Sequence, residues 1–284
     1  MHPRRVGVLV TVAALTAGLS ACGGGEKTYS SVVEKAKETK KLVIGVKVDQ
    51  PALGLKKPDG TMEGFDVDVA RYIAKELGVP ESGITWKETI SKNREPFIQQ
   101  GQVDLVLATY SILPERKEKV TFGGPYVVAH QDIMVRGDDT SITKVDDIKG
   151  KRICQASGSN SYKRITDPPP NGRAIETQLV PAGSYGECME RLKGKTLDAV
   201  TTDDLILAGF AGQGGGTFKI LGDPFTDEKY GVGMKKGDTA TCNAVNAAIA
   251  KMYQDGTGQT LAKKWFGSAQ GLTLPTAAPP AEGC

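Results

Sequence analysis

The sequence predicts an α/β fold in two lobes with a cleft between them. Short apolar runs alternate with amphipathic helical stretches, the pattern of a parallel-type sheet covered by helices. A second series of the same kind begins near residue 131. The length, 284 residues, suits one large domain or two of ordinary size.

Met1 to Arg5 is a positively charged start. Val6 to Leu19 is an apolar run too short for an ordinary spanning helix, and Leu19-Ser20-Ala21-Cys22 follows it. This reads as an export signal over 1–21. The tetrapeptide resembles the lipobox of bacterial lipoproteins, in which the cysteine takes the diacylglycerol. Residues 22–40 would then be a tether with Gly23 to Gly25 at its flexible start, running into a short helix. The chain is expected on the extracytoplasmic face of a bacterial cell membrane, held by lipid at Cys22. Ordinary cleavage to a soluble secreted protein is the alternative.

The short helix is expected over Val32 to Thr39 and a first strand over Leu42 to Val46. Gly54 to Gly60 reads as a loop turning at Pro58-Asp59-Gly60. Gly64 to Leu77 has helical spacing: Val69, Ile73, Leu77, Ala70 and Ala74 form its apolar face, Asp66 is the expected N-cap, and Gly78 stops it. Strands are expected over Ile84 to Trp86 and Val103 to Ala108, with a helix over Arg94 to Gln100 between them. The second series predicts strands over Gln131 to Val135, Lys151 to Cys154, Ala199 to Thr201 and Tyr230 to Met234. A helical turn falls at Val145 to Ile148, and helices begin at Ser161, Gly186 and Leu205. Thr241 to Gln254 and Thr260 to Phe266 are the closing helices. Pro168 to Pro170 and Gly212 to Gly216 read as surface loops. The tail after Leu272 should be extended unless Cys284 pins it.

Composition narrows the function. A formal charge of +3 implies no polyanion, so no nucleic acid. The two histidines are His2, in the segment expected to be removed, and His130. A Ser-His-Asp triad or a histidine-built metal site is nearly excluded, and no cofactor is expected. With Cys22 set aside, Cys154, Cys188, Cys242 and Cys284 remain. An even number in an exported chain reads as two disulfides in one of three connectivities, or as free core thiols.

In open α/β sheets a ligand sits outside the carboxyl ends of the strands. One such end here is Ala108-Thr-Tyr-Ser-Ile-Leu-Pro-Glu-Arg116. Around it stands a series of motifs: Gly64-Phe-Asp-Val-Asp-Val69, Asn93-Arg-Glu-Pro-Phe97, Gly101-Gln-Val-Asp104, Pro114-Glu-Arg116, Phe122, Pro125-Tyr126, Gly150-Lys-Arg152, Leu197-Asp-Ala199, and Asp255-Gly256 with Lys264-Trp-Phe-Gly267. In that order they resemble the family 3 extracellular solute-binding proteins, the polar amino-acid receptors of ABC importers, over roughly residues 41–267. The details are most similar to the glutamate-binding lipoproteins of actinobacteria.

The resemblance implies a periplasmic-binding-protein (Venus flytrap) fold of type II with two hinge crossings, near Ala129-His130 and near Lys229-Tyr230. Lobe 1 would be 41–128 plus 237–284 and lobe 2 would be 129–236. His130 is then a hinge or surface residue. Pairing Cys154 with Cys188 and Cys242 with Cys284 would keep each bridge within one lobe. The expected partners are a free acidic amino acid, an ABC permease and its separate ATPase, with the protein itself monomeric and not an enzyme.

The site residues follow from the same resemblance. Arg116 would fork onto the α-carboxylate, helped by Thr109 and Ser111, unless it pairs on the surface with Glu115 or Glu118. Ser159 and Asn160 would add backbone donors at a helix start, where a plain N-cap is the alternative. Asp203 would hold the α-ammonium, with Asp204 beside it and Asp198 in a structural turn. Lys47 and Arg94, with Ser91 nearby, would select a second carboxylate, unless Lys47 is a solvated strand-end lysine. Gln50 stands near the place where relatives stack an aromatic, so polar contacts should replace stacking. The implied ligand is L-glutamate, with L-aspartate close and glutamine the competitor. A purely sensory receptor and a dehydratase on the same fold are the other readings.

Overall fold

The computed structural model describes His2 and residues 27–284. The lipidation site Cys22 and nearly all of the expected export signal lie outside the described residues. The chain runs α1 (Val32–Thr39), β1 (Leu42–Val46), β2 (Asp49–Gln50), β3 (Gly54–Lys56), β4 (Met62–Glu63), α2 (Phe65–Glu76), β5 (Ile84–Glu88), α3 (Arg94–Gln99), β6 (Leu105–Val106), α4 (Pro114–Lys117) and β7 (Thr121–Ala129). It continues with β8 (Gln131–Arg136), β9 (Arg152–Ala156), α5 (Lys163–Thr166), β10 (Gln178–Ala182), α6 (Tyr185–Lys193), β11 (Val200–Asp203), α7 (Asp204–Gly214) and β12 (Phe218–Ile220). β13 (Glu228–Met234), α8 (Thr239–Gln254) and α9 (Thr257–Phe266) complete it.

The first lobe is built on one sheet ordered β5-β1-β6-β13-β7. β5, β1 and β6 run parallel, but β13 is antiparallel to both β6 and β7, so the sheet is mixed. β1 is Leu-Val-Ile-Gly-Val because such a central strand is covered on both faces. α2 packs on it through Val69, Ala70, Ile73 and Ala74, all fully buried. The second lobe joins the sheet β11-β8-β12 to the parallel pair β9-β10, over a core that includes Ile133, Val135, Ile153 and Ile165.

The chain crosses twice between the lobes, side by side. β7 leads through His130 into β8, and β13 returns with Glu228 paired to Ala129. β13 belongs to the first lobe's sheet, so the return crossing precedes Glu228 and that lobe's share begins before residue 237. His130 sits at the crossing: its N–H donates to Asp204 Oδ1 at 3.0 Å, and its ring lies 3.2 Å from Asp204 and 3.5 Å from Asp227. Cys154 is bridged to Cys188, tying β9 to α6, and Cys242 to Cys284, with Cα separations of 5.8 Å in both. The second bridge pins the tail, whose Glu282 also pairs with Lys117 and Lys229.

Several local expectations change. Gly54 to Gly60 is not a plain loop: β2, β3 and β4 form a small antiparallel sheet there. Gly64, not Asp66, is the N-cap of α2. Asp66 turns inward, fully buried, and accepts from the Thr109 N–H at 2.8 Å and the Tyr126 hydroxyl at 2.9 Å. The strand expected through Ala108 pairs only over Leu105–Val106. The helix expected from Ser161 starts at Lys163 and lasts four residues, so the turn before it has no helix N-terminus of consequence. Gly212 to Gly214 belong to the end of α7. Asp198 accepts three bonds from Arg152, a structural clamp.

Candidate functional site

The mouth between the lobes is where the strand ends converge. Ser91, Arg94, Thr109, Ser111 and Arg116 line it from the first lobe. Ser159, Asn160, Ser161, Tyr185, Thr202, Asp203 and Ile206 line it from the second, with Glu228 at the crossing. The space between is narrow, and its lining is almost entirely polar.

The first wall is fixed by its backbone. Thr109 has a φ of 47°, a left-handed conformation that a β-branched residue adopts only under constraint. Three bonds hold it. Its N–H goes to Asp66, its hydroxyl to the Ala108 carbonyl, and its carbonyl accepts from Arg94 Nη1 at 2.9 Å. The turn brings Ser111 to the mouth. Pro114 then starts α4, which returns Arg116 so that its Nη1 donates to the Ser111 carbonyl at 2.8 Å. Arg116 is 6% exposed, and Nη2 has no protein partner among the described residues. Its nearest acid is Glu95, at 3.7 Å. The surface pairing with Glu115 or Glu118 is not made. The ring of Tyr110 lies under both guanidinium groups, 4.4 Å from Arg94 and 5.2 Å from Arg116.

Lys47 stands one layer behind this wall, 3% exposed, and donates to the Ser91 hydroxyl at 2.7 Å. It is no solvated strand-end lysine. Burial, then the neighbouring Arg94 charge, push its ammonium well below the ordinary lysine range. Gln50 is also buried outside the lining, in β2, with Oε1 unpartnered. Asp66 behind the wall is pushed up to about 6, by burial first.

The second wall is a hydroxyl cluster around one acid. Tyr185 Oη bonds Ser159 Oγ at 2.7 Å and Ser161 Oγ at 2.9 Å, and Ser161 Oγ bonds Thr202 at 3.2 Å. Asp203, at the end of β11, is 4% exposed and accepts from the Tyr230 hydroxyl. Burial, then the nearby Glu228, push its carboxyl up to about 8. Glu228 itself has a cation, Arg164 at 2.8 Å. Asp203 has none within ion-pair distance among the described residues.

The lobes are closed on each other. Asn160 Nδ2 donates to Glu115 at 2.7 Å, Arg94 Nη2 to the Gly158 carbonyl at 3.2 Å, and the Gly186 N–H to Asp49 at 3.0 Å. Two glycines permit the fit. A Cβ on Gly158, whose φ is 76°, would stand 2.3 Å from the Lys92 nitrogen, and one on Gly209 would stand 1.9 Å from the Pro51 carbonyl.

Eight of the ten expected binding residues thus meet at one mouth; Lys47 stands behind Ser91, and Gln50 lies apart. Sequence reasoning passed over Tyr110, Tyr185, Thr202, Ile206 and Glu228. Thr202 could have been found as the neighbour of Asp203. Tyr185 carries no local signal, since it bonds Ser159 from 26 residues away at the start of α6.

Comparison with known proteins agrees with this architecture. Residues 42–268 match the pattern of bacterial extracellular solute-binding proteins, family 3. The glutamate-binding protein GluB of Corynebacterium efficiens is 42% identical over 88% of this chain and 86% of its own length. The glutamine-binding protein GlnH of an ABC transporter of Bacillus subtilis is 37% identical over 87% of this chain and 92% of its own. Among solved structures, an ancestral arginine-binding protein bound to glutamine superposes with a TM-score of 0.72 at 32% identity, covering 81% of this chain and 99% of that one. The chain is a member of the bacterial extracellular solute-binding proteins, family 3.

Proposed function

We propose that the cleft binds one molecule of free L-glutamate, with L-aspartate next in preference, and hands it to the permease of an ABC importer. The observation that carries this reading is the division of charge. Among the described residues, Arg94 and Arg116 line the site from the first lobe, with Lys47 behind Ser91, none of them with a carboxylate in hydrogen-bond contact, and Asp203 lines it from the second with no cation within ion-pair distance. A closed site with that division is costly until a ligand supplies both opposite charges. The α-carboxylate fits Arg116 Nη2 and the Ser111 hydroxyl, the α-ammonium fits Asp203, and a side-chain carboxylate fits the end held by Lys47 and Ser91. Basic amino acids would bring a third cation to that end and are excluded.

Glutamine is nearly isosteric, but its carboxamide leaves Lys47 without a counter-charge. The relatives named for glutamate share more identity with this chain than those named for glutamine. The perturbed acid, Asp203, serves as an ammonium partner, so the protein is read as a carrier and not an enzyme. It acts as a monomer anchored by lipid at Cys22 on the outer face of the cell membrane, and Cys22→Ala is expected to release it into the medium.

A thermal-shift screen of the twenty amino acids tests the ligand. A ligand at 100 times its Kd adds about 2.7 kcal/mol to the folded state. Glutamate should raise the melting temperature most, aspartate less, and lysine and arginine not at all. A shift with glutamine alone refutes the acidic ligand.

A further inference from the structure

We propose that Arg94 is a closure strut: its guanidinium locks the second lobe's Gly158 turn onto the backbone of the first wall, so that it sets affinity but not which amino acid is chosen. The inference deepens the reading of the cleft as a glutamate site and assigns charge selection to Lys47.

An arginine has five N–H donors, and gripping a carboxylate takes two parallel ones. In Arg94, Nε donates to the Ser91 carbonyl at 3.1 Å. Nη1 donates to the carbonyls of Ala108 at 3.1 Å and Thr109 at 2.9 Å. Nη2 donates to the Gly158 carbonyl at 3.2 Å. All four acceptors are backbone carbonyls, three from its own lobe and one from the other. One N–H remains, and no parallel pair. The group is 2% exposed and stacked on Tyr110, so it cannot swing to make one. Arg116, on the same ring, makes a single side-chain hydrogen bond and keeps Nη2 for a ligand.

The far acceptor is shaped for this contact. Gly158 lies against the backbone of Ser91 and Lys92, so closely that a Cβ would meet the Lys92 nitrogen at 2.3 Å. The same Ser91 whose carbonyl accepts from Arg94 accepts from the Lys47 ammonium on its hydroxyl oxygen. Closing the lobes therefore completes the bonds of Arg94 and seals the end of the site where Lys47 stands. A strut of this kind is felt by every ligand that closes the lobes. A charge contact would be felt by glutamate far more than by glutamine.

The test measures affinity for glutamate and glutamine by calorimetry in the wild type, Arg94→Met, Gly158→Ala, the double variant and Lys47→Met. Arg94→Met and Gly158→Ala should each weaken both ligands by about tenfold or more, to a similar degree, which corresponds to losing one charge-assisted bond. The double variant should lose little beyond either single one, because both remove the same contact. Lys47→Met alone should change the glutamate-to-glutamine ratio. A tenfold change of that ratio in Arg94→Met, or losses that multiply in the double variant, overturns the strut. If Arg94→Met does not fold, Gly158→Ala carries the test: unchanged affinity, or unequal loss for the two ligands, overturns it. A wild type that binds neither amino acid refutes the glutamate reading instead. The double-variant cycle is then scored on whichever amino acid stabilises the wild type, and multiplying losses still overturn the strut.

Discussion

The two walls of the cleft differ in charge and in how firmly they are held. On the first wall every cation is fixed from behind: Tyr110 lies under both arginines, and Asp66 holds the left-handed Thr109 that turns the chain toward them. The second wall is a set of hydroxyls bonded to one another around Asp203. If the cleft binds glutamate as proposed, choice among ligand charges lies with the first wall, and the second supplies the counter-charge and hydroxyl hydrogen bonds. On their own charges, the two walls are mismatched. The Lys47 ammonium is disfavoured and the Asp203 carboxyl holds its proton to about pH 8. A zwitterion with a second carboxylate relieves both, and that relief biases the lobes toward closure.

The largest effect should come from removing the first wall's free donor. Arg116→Ala is expected to weaken glutamate binding by about 2–5 kcal/mol, the usual result of truncating one partner of a buried charge pair. Calorimetry showing near-wild-type affinity would move the α-carboxylate off this wall.

The support behind the wall has its own pH signature. The Asp66 carboxyl is pushed from 3.8 up to about 6, so the folded state binds its proton more tightly than the unfolded state does. Ionised Asp66 is therefore a penalty, absent below about pH 4, growing as the pH rises and complete above about pH 6. The shift corresponds to a penalty on the order of 3 kcal/mol. Asp66→Asn should flatten that part of the stability curve and gain on the wild type as pH rises from 4.5 to 7. Urea unfolding at the two pH values checks this, and parallel curves for the two proteins would count against it.

Lys47→Met comes next and reads charge choice directly. It should weaken glutamate by about 1.5–3 kcal/mol, the range for a charged hydrogen bond, and glutamine much less. Equal losses for both ligands would mean that the lysine only fills space behind Ser91.

What was legible beforehand follows the same division. Thr109, Ser111 and Arg116 lie within eight residues of sequence, so one stretch raised the question and the family resemblance assigned the roles. Asp66 misled because an acid at a helix start suits a cap, and only Thr109 and Tyr126, 43 and 60 residues on, reveal its burial. β7 went unseen because Gly123-Gly124-Pro125 is a turn signal in the middle of a strand. The donors of Arg94 were illegible because backbone carbonyls leave no trace in residue identity. Helix periods of α2, α6 and α8 were read nearly to their ends, since one buried face over many residues is a strong local signal.

The smallest effect tests whether Asn160 touches the ligand or only latches the first wall. Asn160 was expected on the ligand, yet its Nδ2 donates to Glu115, beside Arg116 and on the opposite lobe, at 2.7 Å. That bond joins the two lobes, so its loss should lower affinity by weakening closure. Asn160→Ala is expected to cost about 0.5–1.5 kcal/mol of binding, alike for glutamate and glutamine. Glu115→Ala should match it, and the double variant should be no worse than either, since one bond cannot be lost twice. A further loss on adding Asn160→Ala to Glu115→Ala would show a direct contact between Asn160 and the ligand. Asn160 would then share in recognition beside Asp203 instead of only closing over the ligand.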